Sequence, residues 1–125
     1  MELKPGAQTD KLYVDMKTVL PLIEQARQEA LATVASLPCV ITSGHEGHKG
    51  DHIHSDASLH YLENCPTEEG LAVDIRTGDF VEVFATTLRL LITQNFGRNA
   101  GFDIVPEHDH LHIERDPKKR PLRAR

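Results

Sequence analysis

Two runs, Leu71-Ala-Val-Asp-Ile-Arg76 and His110-Leu-His-Ile-Glu114, decide the fold. Each alternates apolar and polar residues, and a period of two places alternate side chains on opposite faces of a β-strand. Leu71, Val73 and Ile75 oppose Ala72, Asp74 and Arg76, while Leu111 and Ile113 oppose His110, His112 and Glu114. Ser58-Leu-His-Tyr61 reads the same way, with Ser58 and His60 against Leu59 and Tyr61, and Cys39-Val-Ile-Thr-Ser43 reads as a short β-branched strand. A one-residue slip would exchange the faces, so an apolar face fixes the register. Paired in one sheet, the polar faces bring His60, Asp74, His110 and His112 together.

The apolar faces need cover. Met16, Val19, Leu20, Ile23, Ala26, Ala30, Leu31 and Val34 recur at helical spacing, predicting a helix that ends before Leu37-Pro38 and has Pro21 in its first turn. A second helix is predicted from Phe80 to about Asn95, with Asp79 as N-cap, Glu82 in a capping-box position, and Phe80, Val83, Phe84, Leu88, Leu91 and Ile92 on one face. Gly97 can stop it. The expectation is an α+β fold, a small antiparallel sheet with helices on one face and a metal site on the other. Residues 1–125 form one domain, with an extended lead-in to about residue 14 and a basic C-terminal tail.

Composition narrows the chemistry. The 125 residues are 39% apolar and 26% charged, which excludes collagen-like, disordered and disulfide-scaffold classes. Cys39 and Cys65 are too few for a disulfide framework, and neither belongs to a C-x-x-C pair. The stretch from Arg115 to Arg125 holds six of 14 basic and one of 19 acidic residues, so it carries +5 while the body carries −10. A short basic run with Pro117 and Pro121 reads as a solvated terminus, and no nucleic-acid partner is expected. No h-region and no apolar stretch of membrane length is visible, so neither a signal peptide nor a membrane span is expected. A monomer is expected, cytoplasmic or phage-associated.

Eight histidines against four Phe, two Tyr and no Trp are the unusual feature. Imidazole is both a metal ligand and a proton carrier near neutrality. Catalytic zinc takes three protein ligands and keeps a position open, and His60, Asp74 and His112 supply such a set. Asp109, at the turn before the last strand, is the candidate base, and His110 the candidate donor to a developing oxyanion. The loop from Gly44 to Ala57 is too polar for core and long for a connection. Its His45, His48, His52 and His54 could form a second metal site, rim a cleft, or be solvated. Ser58, His45, His48 and Arg76 are the candidate substrate contacts.

Ser58-Leu-His-Tyr61 followed by Gly70-Leu-Ala-Val-Asp74 resembles the S-x-H-x-x-G-x-A-x-D motif of the zinc D-alanyl-D-alanine peptidase family, which includes bacterial carboxypeptidases, phage endolysins and hedgehog amino-terminal domains. Asp109-His-Leu-His112 is similar to that family's closing motif. The resemblance implies zinc held by His60, Asp74 and His112, Asp109 as base and His110 as transition-state donor. It also implies hydrolysis of an amide bond in a peptidoglycan stem peptide or a D-Ala-D-Ala-like small peptide, by carboxypeptidase or endopeptidase action. Two features depart from the motif. Thirteen residues separate His60 from Asp74, more than the motif's spacing, so Leu62 to Glu69 form an extra loop. Thr42-Ser-Gly44 runs into His45-Glu-Gly-His48, where family carboxypeptidases carry an arginine clamp. The alternative is a non-catalytic, hedgehog-like zinc module that holds a partner.

Overall fold

The computed structural model describes residues 1–30, 39–77 and 81–123. Five strands form one sheet in the order β1-β2-β3-β5-β4: β1 Glu2–Leu3, β2 Val40–Ser43, β3 Ala72–Arg76, β4 Phe102–Pro106 and β5 His110–Arg115. Only β1 on β2 is parallel; the other pairs are antiparallel. Helices α1, Val14–Ala30, and α2, Val81–Phe96, pack on the face carrying Val73, Ile75, Leu111 and Ile113, all of them fully buried. This is the small α+β architecture expected from the alternation in β3 and β5.

Each helix differs from its expected course in an instructive way. The helix α1 begins about two turns before Pro21, so this proline is interior rather than in the first turn. An interior proline costs a hydrogen bond and ~3 kcal/mol, which burial of Met16, Val19, Leu22, Ile23 and Ala26 outweighs. In α2 the buried stripe is Phe84, Ala85, Leu88, Leu91 and Ile92, while Val83 is exposed. Gly97 ends this helix with φ +85, its N–H returning to the Thr93 carbonyl. The expected positions of Leu31, Val34, Leu37-Pro38, Asp79 and Phe80 lie outside the described residues.

Three findings bear on the site. Ser58 to Tyr61 is not a strand but a succession of turns leading into a single 3-10 turn, Leu62–Asn64. The Ser58 hydroxyl accepts the His60 N–H at 3.1 Å, and the Tyr61 N–H returns to the Ser58 carbonyl, so local turn bonds win over ladder bonds. The extended lead-in is docked on the fold: Glu2–Leu3 extends the sheet, and Leu12 and Tyr13 are buried. The tail is solvent-exposed at Lys118, Lys119, Arg120, Pro121 and Arg123, yet it is tied to the body of the fold. Arg115, 2% exposed, donates from Nε to Asp15 on α1 at 3.0 Å and from its terminal nitrogens to the carbonyls of Asp116, Arg120 and Pro121. Arg123 adds a second ion pair to Asp15 and its N–H bonds the Tyr13 hydroxyl.

Candidate metal centre

Asp74 and His112 are directly opposed across the β3–β5 ladder, on the face turned away from the helices. His112 Nδ1 lies 2.8 Å from Asp74 Oδ1, and its Nε2 lies 2.7 Å from Glu114 Oε1, two residues on along the same face. A carboxylate only accepts, so both nitrogens donate and the ring is an imidazolium. Burial disfavours that charge, but the bonds to Asp74 and Glu114 outweigh it and raise the pKa to about 9. Burial likewise works against the Asp74 carboxylate, yet His112 and His60 hold its pKa well below the usual range.

His60 reaches the same oxygen from the turn, not from a strand. It is 1% exposed, and its Nδ1 donates to the Gly44 carbonyl at 2.7 Å. That bond assigns the Nδ1 proton, and Nε2, with no hydrogen-bond partner of its own, lies 3.3 Å from Asp74 Oδ1. A buried imidazole nitrogen therefore faces a carboxylate oxygen in a dry position, an arrangement that calls for a proton or a cation between them. Glycine is required at the anchor, since a Cβ on Gly44 would lie 1.9 Å from the Gln8 carbonyl oxygen.

His54, from the long loop, completes the cluster. Its ring stacks on His60 with centroids 4.0 Å apart and planes 10° from parallel, whereas His112 meets His60 edge-on at 5.2 Å and 60°. Strand β2 carries an irregularity between Ile41 and Ser43 that sets Ser43 opposite Asp74, and bulges of this kind re-aim side chains. Ser43 Oγ donates to Glu46 at 2.7 Å and lies 3.0 Å from His54 Nε2. Burial, followed by the charge of His60, lowers the His54 pKa. Ligand atoms of His54, His60 and Asp74 all lie within 4.8 Å of one another, so these three could hold a metal ion. Asp103, Glu114 and Asp116 form a similar group, but Lys119 pairs with Asp103 and Glu114 is engaged by His112.

The other candidates divide. His110 sits on the site face with Nε2 3.9 Å from Asp74 Oδ1, and its Nδ1 bonds Asp109 at 2.8 Å. Asp109, largely exposed, is held below its ordinary pKa chiefly by that bond. Asp109, His110, Asp74 and Arg76 line a cavity of about 670 Å³. Ser58, His60, Asp74, Glu107, His110 and His112 line a neighbouring one of about 410 Å³. His45 is buried and turned to the N-terminal segment, its Nε2 accepting the Lys11 N–H at 3.0 Å, so it does not rim a cleft. His48 is 90% exposed beside Glu63 and lines neither cavity. Cys65 packs with Tyr13 and Leu71, and burial pushes its thiol up to about 11. His54 was not singled out in the sequence, where nothing in the spacing of the loop distinguishes it from His45, His48 or His52.

No helix among the described residues is long and apolar enough to cross a membrane. No family model, curated protein or solved structure matches the chain.

Proposed function

We propose that the chain is a zinc-dependent peptidase cleaving an amide bond in peptidoglycan stem peptides or D-Ala-D-Ala-like precursors. His60, Asp74 and His112 would hold the ion, Asp109 would take a proton and His110 would donate one hydrogen bond to the developing oxyanion. The observation that carries the reading is the buried, unpartnered Nε2 of His60, aimed at the Asp74 oxygen that His112 Nδ1 also reaches. Two imidazoles and one carboxylate are a donor set suited to zinc. The His60 bond to Gly44 and the His112 bond to Glu114 are the outer contacts that orient such ligands.

When bound, zinc polarises an amide carbonyl and acidifies a water molecule. The remaining work falls to the chain. His112 must become neutral to ligate, so loading releases the proton it shares with Asp74 and Glu114. Asp109 opens onto the 670 Å³ cavity beside Asp74, where its carboxylate can receive a proton once it leaves His110. Glu107, lining the 410 Å³ cavity with His60 and His112, is the competing base.

One observation favours the non-catalytic zinc module: His54 is a third imidazole at the cluster and would be a fourth ligand beside His60, Asp74 and His112, and a site closed by four protein ligands is structural. Metal analysis of the purified protein, followed by mass spectrometry of digested peptidoglycan, separates the two. Asp109→Ala should retain zinc and lose ~10²- to 10⁴-fold in rate. His112→Ala should lose zinc and activity together. Full rate in Asp109→Ala with loss in Glu107→Ala would transfer the role to Glu107; bound zinc with no cleavage product would favour the module.

A further inference from the structure

We propose that His54 is itself a metal ligand, through Nδ1, wired into place by a chain running from Glu46 through Ser43. This rests on the chain being a metal protein, as proposed above, but not on its being a peptidase. The direction of the hydrogen bonds carries it. Ser43 has one hydroxyl proton and gives it to Glu46 Oε2 at 2.7 Å, so the 3.0 Å contact with His54 requires His54 Nε2–H to donate to Ser43 Oγ. The neutral ring then keeps its lone pair on Nδ1. Glu46 is braced in turn, Oε1 accepting the N–H groups of Gly44 at 2.7 Å and Gln8 at 2.9 Å.

This is the wiring of a ligand. Metal-binding histidines donate their second nitrogen to a carboxylate, carbonyl or comparable acceptor, which fixes the tautomer. His60 does so to Gly44, and His54 does so to Ser43, backed by a carboxylate. His112, by contrast, has both nitrogens occupied by carboxylates. Of the three imidazoles, His54 and His60 are therefore the two with one nitrogen committed to a fixed acceptor and the other not bonded to a carboxylate.

The loop anchors the backbone that carries the ring. The Tyr61 hydroxyl accepts the His54 N–H at 3.0 Å and donates to Asp51, so the backbone of His54 is tied to the residue next to His60. Gly47 leaves room for this knot: a Cβ there would stand 2.8 Å from the Tyr61 ring and 2.6 Å from Asp51. Two rings stacked 4.0 Å apart cannot both direct in-plane lone pairs at one ion with bonds of ~2.1 Å. Ligation thus requires the His54 ring to tilt out of the stack about its anchored backbone. With His54, the site would have up to four protein ligands, His54, His60, Asp74 and His112.

The test titrates zinc into the full chain and its variants against a chromogenic chelator, with Co²⁺ as a spectroscopic probe and melting of the metal-free proteins as a folding control. His54→Gln should weaken zinc binding by more than tenfold, and Glu46→Gln by ~10-fold as the loss of an outer contact. In His54→Gln the Co²⁺ bands should lose intensity, and added azide should perturb them more than in the wild type. Nitrogen-15 spectra of the wild-type histidines give a second reading that needs no variant: zinc should shift His54 Nδ1 while Nε2–H persists. An unchanged zinc affinity and Co²⁺ spectrum in His54→Gln, or an unshifted Nδ1, would overturn the inference. If His112→Gln alone then abolished binding, the peptidase reading would stand without His54. A wild type that takes up neither metal would overturn both.

Discussion

Replacing Asp15 by alanine should be among the most destabilising single changes in the molecule, although Asp15 lies far from the cluster in sequence. Asp15 is 6% exposed and is the counter-charge of Arg115, itself 2% exposed. Removing it leaves a guanidinium with carbonyl acceptors but no anion, in a position water does not reach, and frees Arg123 as well. Breaking a buried pair from one side costs about 3–5 kcal/mol. A domain of this size has about 5–15 kcal/mol in total, so about a fifth or more of its stability is at stake, and the melting temperature should fall by roughly 10–20 °C. Urea unfolding followed by circular dichroism measures the loss. A companion Asp15→Leu/Arg115→Met variant should recover much of it, because exchanging both charges for apolar bulk is often close to neutral. A cost under about 1 kcal/mol for Asp15→Ala, or a double variant as unstable as the single, would refute the uncompensated-charge argument.

Gly44→Ala should disturb the His60 anchor, since its Cβ would collide with the Gln8 carbonyl; we expect lower stability together with weaker metal uptake, and normal values of both would refute the close approach. Glu46 is held below its ordinary pKa because the bonds from Ser43, Gln8 and Gly44 outweigh the effect of burial. A depressed carboxyl contributes stability above its unfolded pKa and loses it as pH falls through the folded value. The stability gap between wild type and Glu46→Gln should accordingly narrow below the model-peptide pKa of about 4.3, and a gap independent of pH would count against this account. Cys39 and Cys65 are buried thiols, each pushed up to about 11 mainly by burial, so an aromatic disulfide reagent at neutral pH should label them only after unfolding.

The strands β3 and β5 were legible because Val73, Ile75, Leu111 and Ile113 must face the helices, and that requirement put Asp74 opposite His112 with no further information. Phe102–Pro106 was not read as a strand. It pairs at the sheet edge, is only partly buried, and ends in a proline, which edge positions tolerate. Ser58 to Tyr61 deceived in the other direction, since four alternating residues cannot outvote a serine that captures a backbone N–H locally. His54 was invisible for a different reason. Its place depends on the β2 irregularity, on Tyr61 and on Glu46, three contacts without a periodic signature. The anchorage of the exposed tail was not legible because net charge does not reveal that Asp15 sits beneath it.

The N-terminal segment grips the base of the long loop: the Gln8 carbonyl takes the His45 N–H, Lys11 bonds the His45 ring, and Glu46 bonds Gln8. These ties, like Asp74 to His112, join residues more than thirty positions apart. Closing such separations is entropically expensive and belongs to the later part of chain ordering. The cluster therefore comes into being only when most of the topology is complete, and half-folded chains should offer a metal little more than scattered single imidazoles. Under the metal-binding proposal above, the added stability of a bound ion would reach only the finished fold and leave unfinished ones without it.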